Sequence, residues 1–345
     1  MARDLAKQRT EVPISAIHHR RHAKAPRRRG SSGRRHCALT LPHEPDPTQV
    51  ERLLGLVLRL LSAVDDRVAI IGAGWLGVGV ANACPGTALA TTRSGRRPPD
   101  LEATIAVVAL DLLGDGAALE AGVMGAGALG SASTWVFAIA PGPDQDRRAL
   151  YVEGPARMLA MLGQTHVQRV VWIGSTSALP DLDGPVDETC TTWPEEPRGH
   201  IQREAERAIE RACTAAKVSW MVLRMGGLYG PGREIGRLFG GRAPLGDGAR
   251  ATNLNHRDDA ISATVAAVVS DRSGVVHVVD DDHCTRRAMI DGARAAAGLP
   301  PPVWPGSADT EPRGKCVDNG RLGAWLGVTL QHPRHSPLAP PRPRA

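Results

Sequence analysis

Val68-Ala-Ile-Ile-Gly72-Ala-Gly74-Trp75-Leu76-Gly77 decides the fold of this chain. Val68–Ile71 is a short, wholly apolar run, the signature of a strand buried on both faces. It runs directly into G-x-G-x-x-G, and the residues after Gly77 read as a helix. In a strand–turn–helix of this kind each glycine has a separate task. Gly72 permits the tight turn, and Gly74 has no Cβ and lets a pyrophosphate approach the backbone. Gly77 lets the helix pack close to the strand, with its first N–H groups facing the phosphates. Trp75 and Leu76 lie at the mouth of the same turn. The glycine spacing alone is weak, because Gly125-Ala-Gly127-Ala-Leu-Gly130 repeats it. No apolar strand precedes that second copy, and it reads as a flexible loop.

Outward from this turn, apolar runs alternate with helical stretches. Strands are predicted at Val68–Ile71, Ala88–Thr92, Ile105–Leu110, Trp135–Ala140, Arg169–Ile173, Ser219–Arg224 and Val275–Val279. Helices are predicted at Asp46–Asp66, Gly77–Cys84, Arg147–Gln164, Ile201–Ala216, Asp259–Val269, Thr285–Ala297 and Asn319–Leu326. Alternation of this kind implies parallel βαβ units, hence an α/β fold with a doubly wound parallel sheet. The expected organisation is a basic extension over 1–47, a helix over 48–66 and a Rossmann domain over 67–225. A small C-terminal substrate lobe over 226–330, interwoven with the sheet, and a Pro- and Arg-rich frayed tail over 331–345 follow.

The second predicted strand ends in Thr91-Thr92-Arg93-Ser94. An NAD site usually carries an acid about 20 residues past the loop, to bind the ribose 2′-hydroxyl. Here Arg93 stands in that region, with Arg96 and Arg97 nearby. A guanidinium suits the 2′-phosphate of NADP, so NADP is favoured and NAD stays open. Asp111 and Leu112 follow the third strand, where a carboxylate accepts from an adenine amino group. Ala140 closes the fourth strand on the same edge.

Composition narrows the chemistry. The 345 residues include two tyrosines, Tyr151 and Tyr229, and four lysines, Lys7, Lys24, Lys217 and Lys315. Four residues past each tyrosine stand Pro155 and Arg233, so no Tyr-x-x-x-Lys pair exists on any helical face. The formal charge of +6 is local: residues 1–47 hold eleven Lys/Arg and four Asp/Glu, a net of 11 − 4 = +7, and the remainder is at −1. That segment reads as a disordered extension, with a transit peptide or contact with nucleic acid or an anionic membrane as alternatives. A nucleic-acid partner is disfavoured, because only charge supports it. The six cysteines form no C-x-x-C, which points away from a zinc site or disulfide framework and towards a reducing, cytoplasmic compartment. No apolar run is long enough for a membrane span.

Five segments in order carry a family resemblance: Ile70 to Gly77; Val170-Val-Trp-Ile-Gly-Ser-Thr-Ser-Ala178; Leu223-Arg-Met-Gly-Gly-Leu-Tyr-Gly-Pro-Gly-Arg233; Asn255-His-Arg-Asp-Asp-Ala260; and Gly274-Val-Val-His-Val-Val-Asp-Asp-Asp282. Over about residues 67–330 the chain resembles the extended and atypical short-chain dehydrogenase/reductases, the NAD-dependent epimerase/dehydratase group. The match is closest to a small sugar-nucleotide-epimerase-like branch. The resemblance implies a Rossmann domain with a smaller substrate lobe and often a homodimer formed by two helices beside the active site. It makes Ser175, with Thr176 beside it, the group that hydrogen-bonds the substrate oxygen. It also implies a Tyr-x-x-x-Lys relay on the next helix, where this chain has Arg198 and Gln202. Arginine cannot act as a general base. Gln202 is left as a binder of a ribose hydroxyl, and His200, one turn away, as a titratable substitute or an exposed first-turn histidine.

Arg224, Tyr229 and Arg233 follow the sixth strand at the carboxyl end of the sheet. The resemblance makes that loop a border of the substrate, often a nucleotide sugar. His256 and Asp259 are expected to be structural, with Asp259 capping the next helix. The tryptophans are expected in the core. Two functions follow: an NAD(P)-binding oxidoreductase or epimerase/dehydratase-like enzyme acting on a carbonyl, hydroxyl or nucleotide-sugar-like substrate, or a non-catalytic NAD(P)-binding sensor or assembly protein.

Overall fold

The computed structural model describes residues 67–125, 129–235, 246–305 and 312–335. The basic extension, the helix expected before residue 67, the middle of the second glycine copy and the last ten residues lie outside them.

Seven parallel strands form one sheet: β1 (Val68–Ile71), β2 (Thr87–Thr92), β3 (Ala106–Ala109), β4 (Thr134–Phe137), β5 (Arg169–Ser175), β7 (Ser219–Met225) and β10 (Gly274–Val278). Their order across the sheet is β3-β2-β1-β4-β5-β7-β10. The chain winds outward from β1 in both directions, so the sheet is doubly wound and its switch point lies between β1 and β4.

Side-chain alternation explains the continuous apolar runs within β1 (Val68–Ile71) and β5 (Val170 to Ile173). Val68 and Ile70 of β1, with Val171 and Ile173 of β5, enter the core on one face. Ala69, Ile71, Val170 and Trp172 enter the core on the other. Helices α1 (Trp75–Ala83), α5 (Arg257–Val269) and α7 (Gly320–Leu326) cover the first face. Helices α2 (Gly116–Met124), α3 (Gly154–Leu159) and α4 (Pro197–Ala216) cover the second. Burial on both faces removes the polar alternation of half-exposed strands. Trp135 and Trp172 are fully buried in the second core.

The helix predicted across Arg147–Gln164 is broken. Ala149–Glu153 is a π-helical turn, α3 follows it, and Leu162–Gln164 is a 3₁₀ turn. Pro155 is the cause: it has no N–H to return to the carbonyl of Tyr151, four residues back, and its ring crowds that carbonyl. Gly154 is needed beside it, because a Cβ there would lie 2.7 Å from the Leu112 carbonyl oxygen. The other boundaries move by a few residues. Helix α4 begins at Pro197, which suits a first-turn position.

The smaller lobe is built from strands too short to read: β6 (Gly184–Val186) pairs with β11 (Lys315–Val317), and β8 (Gly227–Tyr229) with β9 (Leu254–His256). Helix α6 (Arg286–Ala296) packs there with Ile235.

The tail expected to fray from residue 331 is tied down through residue 335. Asp259 accepts from the Gln331 and His332 N–H groups at 2.7 and 2.9 Å, and Asp281 N–H donates to Pro333. Asp259 is thereby occupied, and the cap of α5 is His256, whose ring accepts from Asp258 N–H. His335 ends the strap inside the lobe. Its ring lies 2.6 Å from Asp280, with both side chains fully buried, and 2.9 Å from Thr252 Oγ1.

The Asp280 carboxylate and Cys284 beside the ring more than offset burial and push the His335 pKa up to about 10. Burial pushes Asp280 up to about 6. A histidine raised in the fold contributes stability that is complete below its unfolded pKa of about 6.5 and is lost as pH rises through the folded value. Between pH 7 and 10 Asp280 is already ionised, so His335 sets the slope. Urea midpoints of the native protein are expected to fall across that window. His335→Gln should flatten the decline, and an undiminished slope in the variant would count against the strap.

Candidate functional site

A cavity of about 670 Å³ opens at the carboxyl ends of β1, β2, β4 and β5, across the switch point. That is where open α/β sheets place ligands, and the volume suits a sizeable organic ligand.

The glycine turn forms one wall. Gly72 holds φ +99°, a conformation that favours glycine, and its N–H donates to Thr91 Oγ1 at 2.9 Å. A Cβ on Gly77 would collide with the Gly72 carbonyl oxygen, so α1 packs against the turn only with glycine there. Gly74 differs: a Cβ there would meet nothing within 4 Å. It is the N-cap of α1, and no side chain caps the helix there. The first turn carries no acid. An open, uncapped helix start beside a glycine fits a phosphate group.

Trp75 packs under two guanidiniums, Arg233 at 5.0 Å and Arg257 at 5.2 Å from its ring centroid. Its indole N–H donates to the Pro231 carbonyl at 2.9 Å. The turn after β8 is thus pinned to the glycine loop, and Arg233 reaches the cavity.

At the far end of the cavity, Arg93, Asp111 and Leu112 line the wall, with Ala140 on the loop after β4. Arg97 is committed elsewhere, donating to the carbonyls of Glu102 and Ile105. Asp111 accepts from Leu113 N–H at 3.0 Å.

Ser175, Gln202 and Tyr151 line the opposite end. Ser175 Oγ accepts from Ser177 N–H at 3.2 Å and from Ser177 Oγ at 3.0 Å. With its lone pairs engaged, the remaining capacity of Ser175 is to donate its own proton. Thr176 is buried in the 3₁₀ turn after β5 rather than along the cavity wall. Lys315 Nζ holds that turn by donating to the Thr176 and Leu179 carbonyls at 3.0 and 2.8 Å. Gln202 is buried, and among the described residues its Oε1 has no hydrogen-bond partner.

Several expected residues stand elsewhere. Arg224 is 1 % exposed and bonded bidentately to Glu206, both contacts at 2.8 Å. Its Nη1 lies 3.3 Å from His277 Nε2. The pleat turns it under α4 instead of towards a substrate. Burial raises the Glu206 carboxyl, the Arg203 guanidinium opposes that rise, and the Glu210 charge adds to it. Tyr229 is not among the cavity-lining residues; it packs on the rings of His256 and His335. Burial and the carboxylates of Asp280, Asp259 and Asp282 push its phenol up. His200 is exposed and packs on Trp193 at 5.4 Å, outside the cavity lining, and Arg198 is likewise absent from it.

Sequence spacing showed no metal cluster, yet the fold gathers Asp282, Cys284 and His335, and separately His256, Asp258 and His332. His335 already uses both ring nitrogens on Asp280, Thr252 and Cys284. Sequence reasoning also missed Tyr151 as a site residue. Its signal was the Gly154-Pro155 pair three and four residues further on, which marks a break in the helix.

The glycine turn, the switch point and the seven-stranded parallel sheet together define a Rossmann-type protein. Residues 145–277 match the model of the NAD dependent epimerase/dehydratase family. Protein YeeZ of Escherichia coli K12 is 29% identical over 285 residues, 80% of this chain and 98% of that protein. The 3-diazoavenalumate denitrifying reductase of a Streptomyces species is 38% identical over 102 residues, 27% of this chain and 34% of that one. Among solved structures, the UDP-glucuronic acid 4-epimerase of Bacillus cereus, in complex with UDP-glucuronic acid and NAD, superposes with a TM-score of 0.60 at 16% identity. It covers 77% of this chain and 94% of its own. Among the described residues no helix is long and apolar enough to cross a membrane.

Proposed function

We propose that the chain is a dinucleotide-dependent oxidoreductase or epimerase-like enzyme that prefers NADP and acts on a carbonyl, hydroxyl or nucleotide-sugar-like substrate. The observation that carries this reading is the cavity at the switch point. One wall is an open glycine turn, one end carries Arg93 and Asp111, and the other carries Ser175 and Gln202, whose Oε1 has no partner among the described residues. The residues fit a dinucleotide: Gly74 and the start of α1 would hold the pyrophosphate, and Arg93 the 2′-phosphate. Asp111 would accept from the adenine and Gln202 would take a ribose hydroxyl. When bound, the nicotinamide supplies hydride chemistry. The chain itself orients the substrate oxygen through Ser175 and contributes a guanidinium, Arg233, to anionic substrate groups.

Fluorescence titration with NADPH and NADH, followed by turnover on a panel of carbonyls and nucleotide sugars, tests the reading. Arg93→Ala is expected to weaken NADPH by about 10- to 100-fold, the worth of a charge-assisted hydrogen bond. NADH affinity should barely change. Equal losses for both would defeat the NADP preference. One observation favours a second reading, a non-catalytic dinucleotide sensor: α4 brings Gln202 to the cavity, and neither a phenol nor an ammonium. Tight NADPH binding with no turnover on any substrate would favour it.

A further inference from the structure

Helix α4 carries no tyrosine, yet a tyrosine lines the cavity from another element. Tyr151 lies in the π-helical turn before α3 and lines the cavity with Ser175 and Gln202. π-turns recur where a helix must redirect a functional side chain, and this one has a local cause in Pro155. The ring is held in place: it meets the fully buried Trp172 edge-on, with centroids 6.3 Å apart and planes at 71°.

We propose that Tyr151 is a catalytic residue, the proton donor to the substrate oxygen that Ser175 also binds. This rests on the reading of the cavity as a dinucleotide-dependent redox site. In the reducing direction, hydride adds to the carbonyl carbon and the C=O π electrons move to oxygen. The Tyr151 O–H bond breaks, its proton passes to that oxygen, and the phenolate left behind regains a proton from water. The substrate is reduced by two electrons, the dinucleotide is oxidised by two, and one solvent proton is consumed.

The surroundings agree with a donor rather than a resting base. Burial pushes the phenol above its ordinary value, which keeps its proton in place at neutral pH. The charges of Arg147 and Arg198 and the side chain of Gln202 oppose that rise, and so favour the phenolate once it forms. Arg198 thus acts on the site through charge, from outside the cavity lining. The second tyrosine, Tyr229, is occupied against His256 and His335.

With two tyrosines in the chain, the Tyr229→Phe protein grown on 3-fluorotyrosine gives a single described fluorine reporter at position 151. The resonance is expected to move when NADP saturates the protein. Its ionisation midpoint should lie about one pH unit lower with the oxidised than with the reduced dinucleotide, the effect of a nearby positive charge. In parallel, Tyr151→Phe keeps the ring on Trp172. It should hold NADPH affinity within about twofold while turnover of the best carbonyl falls by about 100-fold or more, the usual size of a general-acid contribution. A resonance indifferent to saturating dinucleotide, or turnover retained by the Phe variant, would overturn the role of Tyr151 and leave the dinucleotide site standing. Failure to bind either dinucleotide would overturn the redox site and Tyr151 with it. A wild-type protein that binds NADPH but reduces no carbonyl would count against the donor role in the same way.

Discussion

Arg224→Met is expected to lower the unfolding free energy by about 3–5 kcal/mol, the cost of leaving one member of a buried ion pair alone. Glu206 would lose both bidentate contacts and keep only Arg203, at 3.3 Å, inside a helix face packed on the sheet. His277 would lose its neighbour as well, although its ring still contacts the Asp318 carbonyl at 3.0 Å. The damage comes from the orphaned carboxylate, so removing that carboxylate too should recover much of it. An Arg224→Met, Glu206→Leu double variant is expected to be more stable than the single one. Urea unfolding of the three proteins decides the matter. A single variant within about 1 kcal/mol of wild type would show the pair to be far weaker than its burial implies.

The second large effect separates fold from ligand at the glycine turn. Gly77→Ala drives a Cβ into the Gly72 carbonyl, and Gly72 is itself held at φ +99° with its own Cβ position 2.8 Å from the Ala138 oxygen. Neither backbone has room to retreat, so overpacking should cost about 1–3 kcal/mol. Displacement of the start of α1 should also weaken NADPH by about 100-fold or more. Gly74→Ala is the contrasting case. Its added methyl meets no protein atom within 4 Å, so thermal stability should stay within about 0.5 kcal/mol. The methyl does enter the space assigned to the pyrophosphate, and NADPH affinity should fall as far as in Gly77→Ala. Calorimetry and fluorescence titration on both variants provide the comparison. Full NADPH affinity in Gly74→Ala would remove the phosphates from this turn.

The sheet was legible because its strands are buried on both faces. Continuous runs such as Val170-Val-Trp-Ile leave no polar alternation to confuse them with surface strands. The lobe was not legible for the opposite reason. Strands of three residues carry no periodicity, and β6 finds its partner β11 more than a hundred residues later in the chain. The glycine wall and Arg233 could be placed from sequence, since turn chemistry is local. Arg224 was misassigned because a loop reading ignored the pleat. An arginine inside Met-Val-Leu-Arg-Met, in the middle of a sheet, needs a buried acid, and Glu206 is that acid. Tyr151 escaped for another reason. It was weighed only as half of a Tyr-x-x-x-Lys pair, and Pro155, which ruled out the pair, is the residue that turns the helix there.

The strap over residues 331–335 sets an order of assembly. Every strand of the main sheet and both short strand pairs precede it in the chain, yet Asp259, Asp280 and Asp281 each have a partner in these five residues. A chain emerging from the ribosome can close the sheet around β1, β4 and β5 early, through contacts between neighbouring segments. The smaller lobe has to wait. Until the strap is made, the buried Asp259 carboxylate lacks its two backbone donors and Asp280 its imidazole, so the lobe becomes complete only after residue 335 has been added.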